Sequence, residues 1–206
     1  MIDVDAVLAL HAQTVAQWHS EPISNPYDGV MGIICTQHSF NYLLWHEEDI
    51  ARSRDVSDAK IAEVKRNLDR YNPQRNDTID KVDDWLMAYL ASRTGGPASA
   101  AFSADAPINT ETPGSAIDRL SIMSLRIYHL REQLDRTDVD QHHTESVRRK
   151  LELCGEQKRD LAASLSQLIA DIGSGAKRHK IYRQFKMYND PTLNPYLYSR
   201  GMKQAG

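Results

Sequence analysis

With 206 residues, 23.4 kDa, a formal net charge of -3 and a pI near 6.2, the chain can bury one sizeable core and has no global attraction to phosphate backbones or anionic lipid. Nucleic acid is therefore not an expected partner, because only the C-terminal stretch offers a local basic patch. Two cysteines, Cys35 and Cys154, lie far apart within apolar helical patterns, which argues for buried reduced thiols and a cytoplasmic protein over a disulfide framework.

The first residues, MIDVDAVLALHAQTVAQWH, carry Asp3 and Asp5 and no basic segment before the apolar ones, so they fail as a secretory signal. They read instead as an amphipathic helix from Val4 to His19, with Val4, Val7, His11, Val15 and Trp18 on one face. The Glu21-Pro22 and Asn25-Pro26 steps end it. From Tyr27 to about Arg52 runs a largely apolar stretch with few polar faces, as expected of a central bundle helix. Its best approach to a membrane span, Val30 to Trp45, is interrupted by Gln37, His38, Ser39 and Asn41. Ser57 caps a third helix that carries Ile61, Val64 and Leu68 inward; Asn72-Pro73 is expected to break it, with a new helix from about Gln74 to Ala91.

Between Ser92 and Thr110 the composition turns to Gly, Pro, Ala, Ser and Asp without periodicity. Thr112 and Pro113 then look like the cap and first turn of a helix with Ile117, Leu120, Ile127, Leu130 and Leu134 on its apolar face. After a polar turn at 135–141, Val147, Leu151, Cys154, Lys158, Leu161, Leu165, Leu168 and Ile172 form a heptad-like seam with one polar interruption, ending at a Gly173-Ser174-Gly175 cap. No strand pattern is present. The expected architecture is a single all-α domain over 1–206, an antiparallel helical bundle of about six to seven helices with an extended C-terminal arm. In it, 92–110 is a flexible loop or linker between an N-terminal helical half (1–91) and a C-terminal helical hairpin plus arm (111–206).

The densest cluster of functional side chains is QHSFNYLLWHEEDIAR, where His38, Asn41, Trp45, Glu48 and Arg52 advance by three or four and share one helix face. A second, QRNDTIDKVDD, sets Asn76, Asp80 and Asp83 on one stripe beside Arg75 and Asp77. Two such helices side by side could hold a divalent cation such as magnesium between Asp77 and Asp80, aided by Glu48 and Asp49. Asn41, Trp45, Arg52, Arg75 and Asn76 would then bind substrate, the arginines taking an anionic group, while His46, Glu48 and Asp49 would serve as catalytic groups with His46 moving the proton. A purely structural reading stands beside this one: acids favour a helix's first turn, and Glu48 with Arg52 is an ordinary i,i+4 pair worth roughly 0.2 to 0.5 kcal/mol.

Other patterns carry less. Asp140 and His143 sit in a turn beside His142, there is no Glu-x-x-His repeat, and no Cys-x-x-Cys, His-Glu-x-x-His or Gly-rich phosphate loop occurs. The Thr112-Pro113-Gly114-Ser115 turn suits an anion at a helix N-terminus or a plain cap. Lys177, Arg178, Lys180, Arg183 and Lys186 interleave with Tyr182, Phe185 and Tyr188, a texture shared by nucleic-acid surfaces and by amphipathic segments docked on a core.

The strings NYLLWHEEDIAR, NPQRNDTID, TETPGSAIDRLSIMSLRIYHLREQ and FKMYNDPTLNP, in this order, resemble an uncharacterised bacterial family, the domain of unknown function four-two-five-four. Asn41, Trp45, His46, Glu48, Asp49, Arg52, Asn76, Asp77, Asp118, Lys186, Asn189, Asp190 and Asn194 fall within those strings. The resemblance implies a role near cell-envelope polysaccharide assembly, since members are often encoded beside glycosyltransferases; it brings no reaction. Two readings follow. One is a small-molecule binding protein or enzyme, for a phosphate-bearing or nucleotide-sugar-related ligand assisted by a divalent cation, with a polar site between helices. The other is a non-catalytic helical partner, a homodimer or a companion of envelope glycosyltransferases, docking through the seam and the aromatic arm. The first requires the two polar helices to face a common pocket; the second requires Tyr182, Phe185, Tyr188 and Tyr196 to be uncovered.

Overall fold

A computed structural model describes residues 1–97, 101–103, 105–183, 187 and 190–198. It is an all-α bundle: α1 (Val4–Trp18), α2 (Gly29–Ala51), α3 (Asp58–Thr94), α4 (Pro113–Glu132), α5 (Gln141–Gly173) and the short α6 (Pro195–Tyr198). Among the described residues the sole β-type pairing is an isolated bridge between Ile108 and Arg178, and no helix is long and apolar enough to cross a membrane.

The helix starts follow from local chemistry. Asp3, Ser57 and Asp140 each accept a backbone N–H of the first turn, and Thr112 forms a reciprocal capping box with Ser115 ahead of Pro113. Gly95, in the left-handed region at φ 66°, closes α3. The core gathers Val7, Leu10, Ile34, Val82, Ile117, Leu120 and Leu165 from α1 to α5. The expected seam of α5 supplies Val147, Cys154, Leu165, Leu168 and Ile172, while Lys158, its polar interruption, is half-buried and pushed down by desolvation and by Arg131. Cys35 and Cys154 are buried free thiols.

One expectation fails. The helix does not break at Asn72-Pro73: α3 runs 37 residues through Pro73. Proline in a helix interior sacrifices a hydrogen bond and costs about 3 kcal/mol. Here the flanking turns bury Val64, Thr78, Val82, Leu86 and Leu90, and packing outweighs the local penalty. Likewise α3 extends to Thr94, three residues beyond the expected end of the N-terminal half. Beyond it the 92–110 segment contributes buried Ala106 and, through Pro107, accepts the Arg178 N–H at 2.9 Å. In the C-terminal arm His179 is buried and Arg183 reaches back to Asp80 and Asp84 of α3. Phe185, Lys186, Tyr188 and Asn189 lie outside the described residues.

Candidate functional site

The middle of α2 turns Gln37, His38 and Asn41 fully inward, which is costly unless each finds a partner. The partners come from α4. Asp118 Oδ1 accepts from Gln37 Nε2 and, at 2.9 Å, from Asn41 Nδ2; Asn41 also donates to Ser121 Oγ at 2.9 Å, and His38 Nδ1 lies 2.7 Å from the same oxygen. Burial pushes the Asp118 carboxyl up, opposed by Arg75 and by the two amide donors. Behind this layer His38 packs on His11 and Trp18, with ring centroids 4.6 Å and 5.2 Å away. Burial holds His38 down to about 3 and drives His11 well below the ordinary histidine value, so both are neutral imidazoles.

Toward solvent, the layer opens into a cleft of about 360 Å³ between α2, α3 and α4. One wall is Asn41, Trp45, Glu48, Asp49 and Arg52 of α2; Asn72 and Arg75 of α3 face it, and Ile122 and Leu125 of α4 make the apolar floor. Arg52 donates through Nη1 to the Glu48 carbonyl and carboxylate, both at 2.7 Å, and stays largely exposed. Arg75 is used far less. Its Nε sits 3.8 Å from Asp118 Oδ1, too far for a hydrogen bond, and is buried with no hydrogen-bond partner among the described residues; Nη2 reaches Asn76 Oδ1 at 3.4 Å.

The structure thus brings Asn41, Trp45, Glu48, Asp49, Arg52 and Arg75 to one place, with Asn76 behind Arg75. It leaves four sequence candidates, His46, Asn76, Asp77 and Asp80, outside the cleft lining. Asp77 and Asp80 do not line the cleft, and Asp80 joins Asp84 in binding Arg183, at 3.1 Å for Asp80. His46 does not line the cleft. It meets His19, just past the end of α1, and His129, in the last turn of α4. One ring nitrogen of each histidine lies within 4.8 Å of the others; among the described residues this is the group of three side chains close enough to share a metal ion. The suspected anion site at the start of α4 is filled by the protein itself: Asp83, buried on α3, accepts the Gly114 N–H at 2.9 Å. A Cβ on Gly114 would fall 2.6 Å from the Ile79 carbonyl oxygen, so this close approach of α3 and α4 requires glycine.

Sequence reasoning missed Gln37, Ser121 and Asn72, gave Asp118 no role beyond its place in the resembling strings, and did not join His46 to His19 and His129. Asp118 and Ser121 carried a signal, since they are polar residues flanking Ile117 and Leu120 on a helix that packs inward. The histidines carried none, being spread over three helices.

Fold and site together define an all-α helical bundle with a polar cleft between helices. Residues 31–181 match the family described as Protein of unknown function (DUF4254), and the chain belongs to it. The matched span covers every cleft residue together with His46 and His129, and begins after α1 and His19. No curated protein and no solved structure matches the chain.

Proposed function

We propose that this chain is a cytoplasmic small-molecule protein whose cleft takes a phosphorylated sugar or a molecule like it, with one anionic group, several hydroxyls and an apolar face. The observation that carries the reading is Arg75: a guanidinium held between α2 and α4, facing the cleft, with a buried Nε that no described residue satisfies. A phosphate oxygen is the acceptor such a fork suits best. Trp45 and the Ile122–Leu125 floor offer surface for a sugar ring, and Glu48 and Asp49 offer acceptors for its hydroxyls. The volume, about 360 Å³, is at the small end for ligand cavities and suits a monosaccharide phosphate. Arg52 would join Arg75 on the anion by exchanging its surface pair with Glu48. Glu48 and Asp49 are the groups able to move a proton there, or to share a magnesium ion with the bound phosphate. A cation at Asp77 and Asp80 would bind apart from this cleft. A role near surface-polysaccharide assembly, implied by the family resemblance, agrees with this class of ligand.

The test is a thermal-shift titration of wild type and Arg75→Gln with hexose 1-phosphates, inorganic phosphate and nucleotide sugars, with and without magnesium. A hexose phosphate at 100 times its Kd should stabilise the wild type by about 2.7 kcal/mol. The folded variant should lose that response. If no phosphorylated sugar shifts the wild type, or if Arg75→Gln responds equally, the reading fails.

A second reading is favoured by the C-terminal arm, where Tyr182 is 66% and Tyr196 85% exposed. Uncovered aromatics of this kind suit docking on another protein, such as an envelope glycosyltransferase, or on a second copy. Light scattering of the wild type and of Tyr196→Ser would reveal self-association through the arm.

A further inference from the structure

We propose that His19, His46 and His129 form a three-histidine site for a transition-metal ion, zinc by preference, with an open coordination position toward solvent. The inference does not depend on what occupies the cleft.

The tautomers carry the argument. His19 Nδ1 lies 2.6 Å from the Val15 carbonyl, His46 Nδ1 2.8 Å from the Tyr42 carbonyl, and His129 Nδ1 2.8 Å from Glu132 Oε2. Each of these oxygens can only accept, so each Nδ1 must carry the hydrogen and each neutral ring keeps its lone pair on Nε2. Tethering of the far nitrogen to a carbonyl or carboxylate is how metal-bound histidines are oriented and made more basic. The Nε2 atoms of His19 and His129 are buried and have no partner among the described residues, an arrangement that needs an explanation in a native fold.

The ring geometry agrees. The three rings stand about 5 Å apart, at 5.2, 5.1 and 5.5 Å between centroids, and are inclined to one another by 55°, 70° and 66°. That is a splayed set around a common point, unlike a stack. Stacking is reserved for the walls: Tyr128 lies on His19 at 4.2 Å, and Trp45 on His129 at 5.1 Å and 8°. The Tyr42 hydroxyl donates to the Trp18 carbonyl at 2.8 Å and so fixes the end of α1 beside α2. Tetrahedral zinc with Zn–N of about 2.1 Å needs nitrogens about 3.4 Å apart. From a spread within 4.8 Å, modest ring rotations reach that distance. All three histidines are partly exposed, so the group lies near the surface, and zinc held by three protein ligands takes water as its fourth. Imidazole donors select zinc, cobalt or nickel over magnesium.

The experiment is a titration of the metal-free full-length protein with Zn2+ by calorimetry and with Co2+ by visible absorption, with Mg2+ as a competitor. Wild type should bind one ion per chain, give the absorption of a four- or five-coordinate nitrogen-ligated Co2+, and be indifferent to Mg2+. His46→Gln and His129→Gln should each weaken Zn2+ binding by at least about 100-fold, and Glu132→Gln, which touches only the His129 tether, by about 10- to 100-fold. A His142→Gln, His143→Gln double variant removes the surface pair and should bind as wild type does. The proposal is overturned if wild type takes up no ion at one per chain. It is equally overturned if binding survives both triad substitutions or disappears with the surface pair.

Discussion

α2 carries two histidine environments within eight residues, and they differ in what the tertiary structure does with the ring nitrogens. His38 is sealed in the interior with His11, Trp18 and the Asp118 layer, and burial strips both imidazoles of charge. His46, two turns on, stands at the rim with His19 and His129, each tethered through Nδ1 and each with one ring nitrogen within 4.8 Å of the others. Both environments leave ring nitrogens without a partner among the described residues, His38 Nε2 and both of His11 in the interior and the Nε2 atoms of His19 and His129 at the rim, but His11 and His38 are fully buried whereas the rim histidines are partly exposed. An unpartnered ring nitrogen does not by itself distinguish a site from a core; three histidines tethered through Nδ1 and grouped at a partly exposed rim do.

That contrast can be broken most forcefully at Asp118. Asp118→Ala strands the Gln37 and Asn41 donors and removes the carboxylate that faces Arg75, so the variant should lose roughly 3 kcal/mol in urea unfolding. Asp118→Asn retains one acceptor oxygen and should lose less than half of that; equal losses would mean that charge, and not hydrogen bonding, holds the layer. A smaller effect is expected at His11, both of whose ring nitrogens are buried without a partner among the described residues. His11→Leu should raise stability at neutral pH by about 1 kcal/mol.

The same variant sharpens the pH dependence. His38 is depressed to about 3, so from pH 6.5 down to about 3 the unfolded chain takes up a proton that the folded state refuses. His11 behaves alike, and the stability tied to these groups is complete above 6.5 and is lost as the pH falls. Asp118 runs oppositely: its raised pKa favours the fold in acid, and that contribution is lost as pH rises from 3.8 through the folded value. Comparing variant with wild type isolates the imidazole: His11→Leu should show a shallower decline below pH 6.5, and parallel curves would show that His11 is protonated in the fold. The smallest effect belongs to the rim. Without metal, His129→Gln should change stability by no more than about 0.5 kcal/mol, because the ring is partly exposed and its one tether is to an exposed Glu132. With zinc present, wild type alone should gain in Tm.

Much of the architecture was legible because it is local. The spacing of Val4, Val7 and Val15, the Ser57 and Thr112 caps, and the seam from Val147 to Ile172 each express helical periodicity or a terminal hydrogen bond a few residues away. The one-face grouping of His38, Asn41, Trp45, Glu48 and Arg52 was readable for the same reason; the last four line the cleft, while His38 is buried behind it. Pro73 was misread because its cost is local while the packing that overrides it, Val64 to Leu90 against the bundle, is not.

Sequence by itself determined the helices, their inward faces and the polar character of α2, since helical repeat and capping chemistry act within a turn or two. Tertiary structure alone decided which polar groups meet. It set Arg75 across the cleft from Trp45, assigned Asp83 to the Gly114 amide, and brought His19, His46 and His129 together from three helices. Those encounters depend on how helices separated by tens of residues pack side by side, and no periodicity within one helix encodes them.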